Sequence, residues 1–194
     1  ASGPRFPYPG IIAPRQFRLG GIILDLGAHT GRMPIPRVLL GDAGAAYCAE
    51  PDPTTYLCLV SNVRDNRLRG FVMPDRTAIG DYDGVAHLER SGWSGEHRLV
   101  GSAAGSATIE VACSRLDTWA DRLRIDPRQV SFIKVDTQGS ELRVLRGAPG
   151  ILRHRHILWQ VEIEPRLLET SGTSLRELCS ELQRAFTHFI DMDR

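Results

Sequence analysis

Gly21-Ile22-Ile23-Leu24-Asp25-Leu26-Gly27-Ala28-His29-Thr30-Gly31 sets the architecture of the chain. Its first six residues form a short apolar run that closes on an acid and a glycine, the mark of a strand buried on both faces. Such a strand needs parallel neighbours and helices above and below it, and the flanking sequence supplies both. Pro34 and Pro36 cannot sit inside a helix, so the next helix starts near them and carries Arg37 to Leu40. Residues 45–49 read as a second strand. Residues 54–63 have helical spacing, with Tyr56, Leu57, Leu59 and Val60 apolar. A third strand lies within 70–79, ahead of the turn cluster Gly80-Asp81-Tyr82-Asp83-Gly84.

Further along, 85–88 and 108–113 read as strands on either side of a Gly/Ser-rich surface loop at 91–106. Asp117 is placed to cap a helix through Leu123. Val130-Ser131-Phe132-Ile133-Lys134-Val135-Asp136 is the clearest buried strand, and 140–145 begin the helix after it. A strand at 157–163 is followed by Thr173 or Ser174 as the cap of a last helix, 175–185. Its Leu175, Leu178, Cys179 and Leu182 form an apolar stripe. Residues 186–190 read as one more strand. Strands alternating with helices predict an α/β fold, a mostly parallel sheet with helices on both faces. Residues 1–19, rich in Pro and Arg, are an irregular lead-in, and 20–194 a single domain.

Composition narrows the function. The 194 residues suit one core, and 42% hydrophobic with 24% charged residues exclude a disordered tail. A formal charge of +1 lacks the electrostatic footprint of a general nucleic-acid binder. No apolar run approaches the roughly 20 residues of a membrane-spanning helix, and Ala1-Ser2-Gly3-Pro4-Arg5 lacks the layout of a signal peptide. Cys48, Cys58, Cys113 and Cys179 are widely spaced, so reduced, mostly buried thiols in a cytoplasmic protein are expected. His154-Arg155-His156 falls in an arginine-rich, loop-like stretch and reads as surface, so no metal is expected. Lys134 is the only lysine among the 24 basic residues.

Two acids stand at consecutive strand ends. In a parallel sheet, ligands bind beyond the strand carboxyl ends, where glycines such as Gly27 and Gly31 let the backbone turn and approach a cofactor. Asp25 ends the first strand; Glu50 ends the second, where an acid is placed to accept both hydroxyls of a ribose. Together they predict a nucleoside-cofactor site. The dinucleotide fingerprint G-x-G-x-x-G is absent, and Asp25 would repel a pyrophosphate. S-adenosylmethionine, with no phosphate and a cationic amino-acid end, fits better.

A third block completes the pattern. Asp25-Leu26-Gly27-Ala28 with Gly31, then Glu50-Pro51, then Ile133-Lys134-Val135-Asp136-Thr137-Gln138-Gly139-Ser140-Glu141 with Val144-Leu145-Arg146-Gly147-Ala148, resembles the FkbM family of S-adenosylmethionine-dependent methyltransferases. The likeness runs from about Ile22 to about Glu164, and the Lys-x-Asp-x-Gln-Gly-x-Glu block is its most specific part. It implies a class I methyltransferase (Rossmann-like) fold and methyl transfer to a hydroxyl of a sugar, polyketide or similar metabolite. It also implies cofactor contacts from Asp25, Gly27, Ala28, His29, Gly31, Glu50, Pro51 and Asp136, with the adenine beyond the third strand near Ala78, Ile79 and Asp81. Three departures stand out. His29 replaces the usual Asn, Pro34 and Pro36 disturb the first helix, and the chain stops about one strand short of the usual seven. An open sheet edge would call for a covering partner such as a second copy of the chain.

Lys134 and Asp136 lie two apart on a strand and share a face. A buried lysine needs a partner, which Asp136, Glu162 or Glu164 can supply. Methyl transfer needs the acceptor oxygen held in line with the methyl group, and a base when the acceptor is an alcohol. Asp136, Glu141 and Glu162 are the candidates for that base, with His29 behind them; an acid at Glu141 also simply suits the first turn of a helix. The acceptor pocket is expected under the 91–106 loop, with Trp93 as a lid residue. The rival readings are a nicotinamide-dependent oxidoreductase and a methyltransferase-like module without turnover.

Overall fold

The computed structural model describes residues 18–90, 97–100 and 108–192. Five strands, β1 (Gly21–Leu26), β2 (Ala43–Ala49), β3 (Val72–Asp75), β8 (Val130–Val135) and β9 (Leu158–Val161), form one parallel sheet in the order β3-β2-β1-β8-β9. The apolar run that opens the domain is its central strand. Side chains alternate across it: Ile23 and Phe132 join one core, and Leu24, Leu26, Ile133 and Val135 the other. Helices α1 (Pro34–Leu39) and α2 (Pro53–Asp65) cover the first face through Ile35, Leu59 and Val63. Helices α3 (Leu116–Arg122) and α4 (Glu141–Arg146) cover the second through Leu116, Trp119 and Val144. Beyond them, α5 (Pro165–Thr170) and α6 (Leu175–Ala185) pack Leu168, Leu178 and Leu182 on Leu142 and Leu145 of α4. The doubly wound parallel sheet is therefore present.

Local chemistry explains the helix starts. Asp52 accepts the Thr54 and Thr55 amides ahead of α2, with Pro53 at the first helical position, where its missing N–H costs nothing. Ser174 and Glu177 form a reciprocal capping box at α6, as the sequence leads one to expect. Glu164 caps α5 by accepting the Arg166 amide, and Pro165 follows it at the first helical position.

The structure corrects several expectations. The 70–79 segment is not one strand. It divides into β3 and β4 (Ala78–Gly80), which belong to different sheets, because the Asp75 carboxylate accepts from Trp119 Nε1 at 2.8 Å and Arg122 Nη2 at 2.7 Å and turns the chain there. The second sheet has the order β4-β7-β5-β6, with β5 (Gly84–Glu89), β6 (Arg98–Val100) and β7 (Thr108–Arg115). Only β4 and β7 pair in parallel in it. Thus the segment read as a surface loop carries a strand, β6, held because Leu99 pairs with Leu88 and both side chains are buried; Trp93 lies outside the described residues.

Asp117 does not cap α3. Its carboxylate instead accepts the amides of Gly150 and Ile151, at 2.6 and 3.0 Å, and ties α3 to the turn after α4. On α6 the buried side chains are Leu178, Leu182 and Ala185, whereas Leu175 and Cys179 are exposed, because the face against α4 is narrower than the stripe in the sequence. Residues 186–190 form no strand: the Phe186 ring meets Trp159 edge-on at 5.7 Å, and Phe189 and Ile190 beyond it are exposed. Of the four cysteines, all free, Cys48 and Cys113 are buried but Cys58 and Cys179 are exposed. No helix among the described residues is long and apolar enough to cross a membrane.

Candidate active site

The carboxyl ends of β1, β2 and β8 open into a cavity of about 610 Å³, and the second sheet supplies its opposite wall through Ala78, Ile79, Leu88 and Leu99. The loop after β1 is stitched to its neighbours. The amides of Gly27 and Ala28 both donate to the Ala49 carbonyl at 3.0 Å, and the Asp136 amide donates to the Leu26 carbonyl at 3.0 Å. Gly27 has φ +81°, and a Cβ there would sit 1.8 Å from the Asp136 carbonyl oxygen, so the β1 and β8 loops touch only because this residue has no side chain. His29 takes φ +51°, in the left-handed region where Asn, Asp and His are the enriched non-glycine residues. Replacing the expected Asn by His therefore keeps the backbone.

Lys134 stands beside Asp25 in the β1–β8 register, and their side chains meet on the cavity face. Its Nζ is 2.7 Å from Asp136 Oδ2 and 3.8 Å from Asp25 Oδ1, so the pairing expected of the only lysine is made with Asp136, and with Asp25 in addition. Burial alone would lower the lysine pKa, but Asp25, Asp136 and Glu162 outweigh it and hold the ammonium charged. Burial pushes the Asp25 carboxyl up to about 6, with Lys134 opposing and Asp136 adding. Asp25 Oδ1 is buried without a hydrogen bond.

Asp136 also accepts from Gln138 Nε2 at 2.7 Å, and Gln138 reaches Glu162 at 3.5 Å. Desolvation works against the Asp136 charge, yet its bonds to Glu162, Lys134 and Gln138 prevail and lower its pKa. The price falls on Glu162, whose hydrogen bond to Asp136 pushes it up to about 8. Glu50 ends β2 with both oxygens engaged, Oε2 by the His29 amide and Oε1 by the Asp52 amide, each at 2.9 Å. Burial nonetheless raises it to about 7. His29 is lowered by its own burial and by Arg32.

Of the residues singled out in the sequence, Asp25, Gly27, Ala28, His29, Glu50, Pro51, Ile79, Asp136 and Glu162 line the cavity. Three do not. Gly31, at φ +85°, packs against Ile35 and Leu59 at the root of α1. Asp81 is exposed in the turn after β4. Glu141 is 1% exposed and turned back into its own loop, where Oε1 accepts from the Thr137 amide (3.0 Å), the Thr137 hydroxyl (3.1 Å) and the Gly139 amide (3.1 Å). It ties the loop together and does not line the cavity. Sequence reasoning missed Arg32, Thr77, Leu88, His97, Leu99 and Gln138 as lining residues. Gln138 alone carried a signal, within the Lys-x-Asp-x-Gln block. Among the described residues no cluster of side chains could hold a metal.

Comparisons with known proteins follow the same outline. The crystal structure of methyltransferase FkbM from Methylobacillus flagellatus KT superposes with a TM-score of 0.54 at 17% identity, over 84% of this chain and 37% of that one. The chain thus spans little more than a third of that protein's length. The structure of M. capricolum TrmK in complex with S-adenosyl-homocysteine matches more loosely, with a TM-score of 0.31 at 12% identity, over 88% of this chain and 93% of that one. No curated protein matches the sequence significantly. The methyltransferase FkbM domain model matches residues 25–186, starting on the buried carboxylate of Asp25 and ending at the ring that packs on Trp159, and the chain belongs to that family.

Proposed function

We propose that the cavity binds S-adenosylmethionine and that the protein transfers the methyl group to a hydroxyl oxygen of a small metabolite, sugar or polyketide. One observation carries this reading. Asp25, Asp136 and Glu162 gather around a single ammonium, Lys134, with Glu50 on the next strand end, and Asp25 Oδ1 is buried with that ammonium at 3.8 Å and no hydrogen bond. Such an excess of carboxylate favours a cation that brings N–H donors and disfavours a pyrophosphate. S-adenosylmethionine fits both demands.

When bound, it supplies a methyl group already activated by the positive charge on its sulfur. The residues do the rest. Asp25 and Asp136 face an ammonium, Glu50 stands where ribose hydroxyls are accepted in this class of sheet, and Thr77, Ala78 and Ile79 with Leu88 and Leu99 form an apolar slot for a base. Asp136, kept ionised by Lys134 and Gln138, takes the proton of the acceptor hydroxyl. Rigid loops around Gly27 and Gly139 hold the partners in line, where most of the rate of such a displacement arises.

Calorimetric titration with S-adenosylhomocysteine and, separately, with NAD tests the reading. The homocysteine compound binds and NAD does not. Glu50→Ala weakens binding by about 1–3 kcal/mol, the cost of losing charged hydrogen bonds. Tight NAD binding with no response to S-adenosylhomocysteine would overturn the reading in favour of an oxidoreductase. With binding established, release of S-adenosylhomocysteine over a panel of hydroxylated acceptors identifies the substrate.

A further inference from the structure

Asp136 and Glu162 sit on neighbouring strand ends and share Gln138, whose Nε2 is 2.7 Å from Asp136 Oδ1 and 3.5 Å from Glu162 Oε2. Two carboxyls so placed hold one proton between them more readily than none. Their surroundings are unevenly charged. From β1 comes Asp25, from β8 Lys134, and from α4 Glu141; His29 and Arg32 approach from the β1–α1 loop. The nearest cation is Lys134, already divided between Asp136 and Asp25 at 2.7 and 3.8 Å. It cannot neutralise a second acid on the outer side of Asp136. Glu162 is exposed at the cavity mouth, so a proton on it exchanges with water.

We propose that Asp136 and Glu162 act as one proton-holding pair that is full beside a neutral sulfur and empty beside a positively charged one, so that the site tells S-adenosylmethionine from S-adenosylhomocysteine through a proton. This rests on the function proposed above. The chemistry balances. The bond from methyl carbon to sulfur breaks and leaves its electron pair on sulfur, which loses its positive charge. A carbon–oxygen bond forms, and the hydroxyl proton passes to Asp136 and is shared with Glu162. Positive charge leaves the sulfur as it arrives on the pair, so the net charge of the cavity is unchanged across the step. The proton leaves through Glu162 when the next S-adenosylmethionine binds, because its positive charge empties the pair, and the spent, neutral product gains no such carboxylate partner.

Calorimetry of the unmodified protein in two buffers of different ionisation enthalpy, at pH 7, counts the protons released on binding. S-adenosylmethionine releases about half a proton or more beyond S-adenosylhomocysteine, and the ratio of their affinities rises with pH by up to about tenfold per unit below the titration of the pair. Sinefungin, with an ammonium in place of the sulfonium, behaves like S-adenosylmethionine. Contacts to the shared nucleoside and amino-acid ends, including those of Asp25 and Glu50, cancel in the comparison. In Glu162→Gln the difference in proton count disappears. Equal proton counts for the two ligands in the unmodified protein, or a difference that survives in Glu162→Gln, would overturn the pair while leaving the methyltransferase reading intact. If neither ligand binds at all, that reading falls and the inference with it.

Discussion

Removing the carboxylate of Glu141 separates a loop-shaping acid from a catalytic one. Three donors converge on its Oε1, and two are backbone amides: that of Gly139, which is buried, and that of Thr137, which is half-buried. Glu141→Ala strands both. A buried donor left without a partner costs about 1–3 kcal/mol, so the pair costs about 2–4 kcal/mol, a large share of the roughly 5–15 kcal/mol that stabilises a domain. With a urea dependence of about 2 kcal/mol per molar, the unfolding midpoint falls by about 1–2 M with an unchanged slope. Glu141→Gln behaves differently. Its amide oxygen takes the same three bonds, its nitrogen occupies the position of Oε2, which has no partner, and it is neutral in a place where burial already raises the carboxyl pKa. It stays within about 1 kcal/mol of the parent. Urea unfolding followed by tryptophan fluorescence reads both variants. A midpoint shift below about 0.3 M for Glu141→Ala, or equal losses for Ala and Gln, would refute the loop-holding role.

The remaining predictions concern pH, close approach and capping. Asp25, Glu50 and Glu162 are raised to about 6, 7 and 8, so the folded, ligand-free protein binds more protons than the unfolded chain between about pH 4 and 8. Its stability therefore falls as pH rises through that window; a melting temperature that climbs from pH 5 to 8 would contradict the burial of these acids. Gly27→Ala drives a methyl group into the Asp136 carbonyl at φ +81°. Both the melting temperature and the binding of S-adenosylhomocysteine drop, and retention of both would show that the loops separate freely. Ser174→Ala removes the capping box of α6 and costs about 1 kcal/mol in urea unfolding; no change would mean that the helix is held by Leu178 and Leu182 alone.

The central sheet was legible because the strands buried on both faces, at Ile22–Leu26 and Val130–Val135, announce themselves as apolar runs, and the acids at their ends follow directly. The second sheet was legible only in part. Residues 85–88 and 108–113 read as strands and are β5 and β7. By contrast β6, three residues long beside a run of glycines and serines in the sequence, is fixed by the pairing of Leu88 with Leu99, which no local pattern encodes. The split between β3 and β4 depends on Asp75 meeting Trp119 and Arg122, more than forty residues away. Glu141 misled for a related reason. An acid in the first turn of a helix after a strand end suits the dipole and suits catalysis equally, and only the positions of the Thr137 and Gly139 amides decide the matter. Asp81 was read by analogy of position, whereas the chain turns outward after Gly80 and leaves Thr77, Ala78 and Ile79 facing the cavity.

The joint between β3 and β4 has a wider consequence. Only Arg76 and Thr77 separate a strand of the carboxylate-bearing sheet from a strand of the sheet that makes the apolar wall. The cavity is a seam between two units, one carrying its charge and the other its width. Leu88 and Leu99 stand on the second sheet, whereas Asp25, Lys134 and Asp136 stand on or just beyond strands of the first. A fold divided in this way separates the shape of what the cavity accepts from the charge pattern at its strand ends.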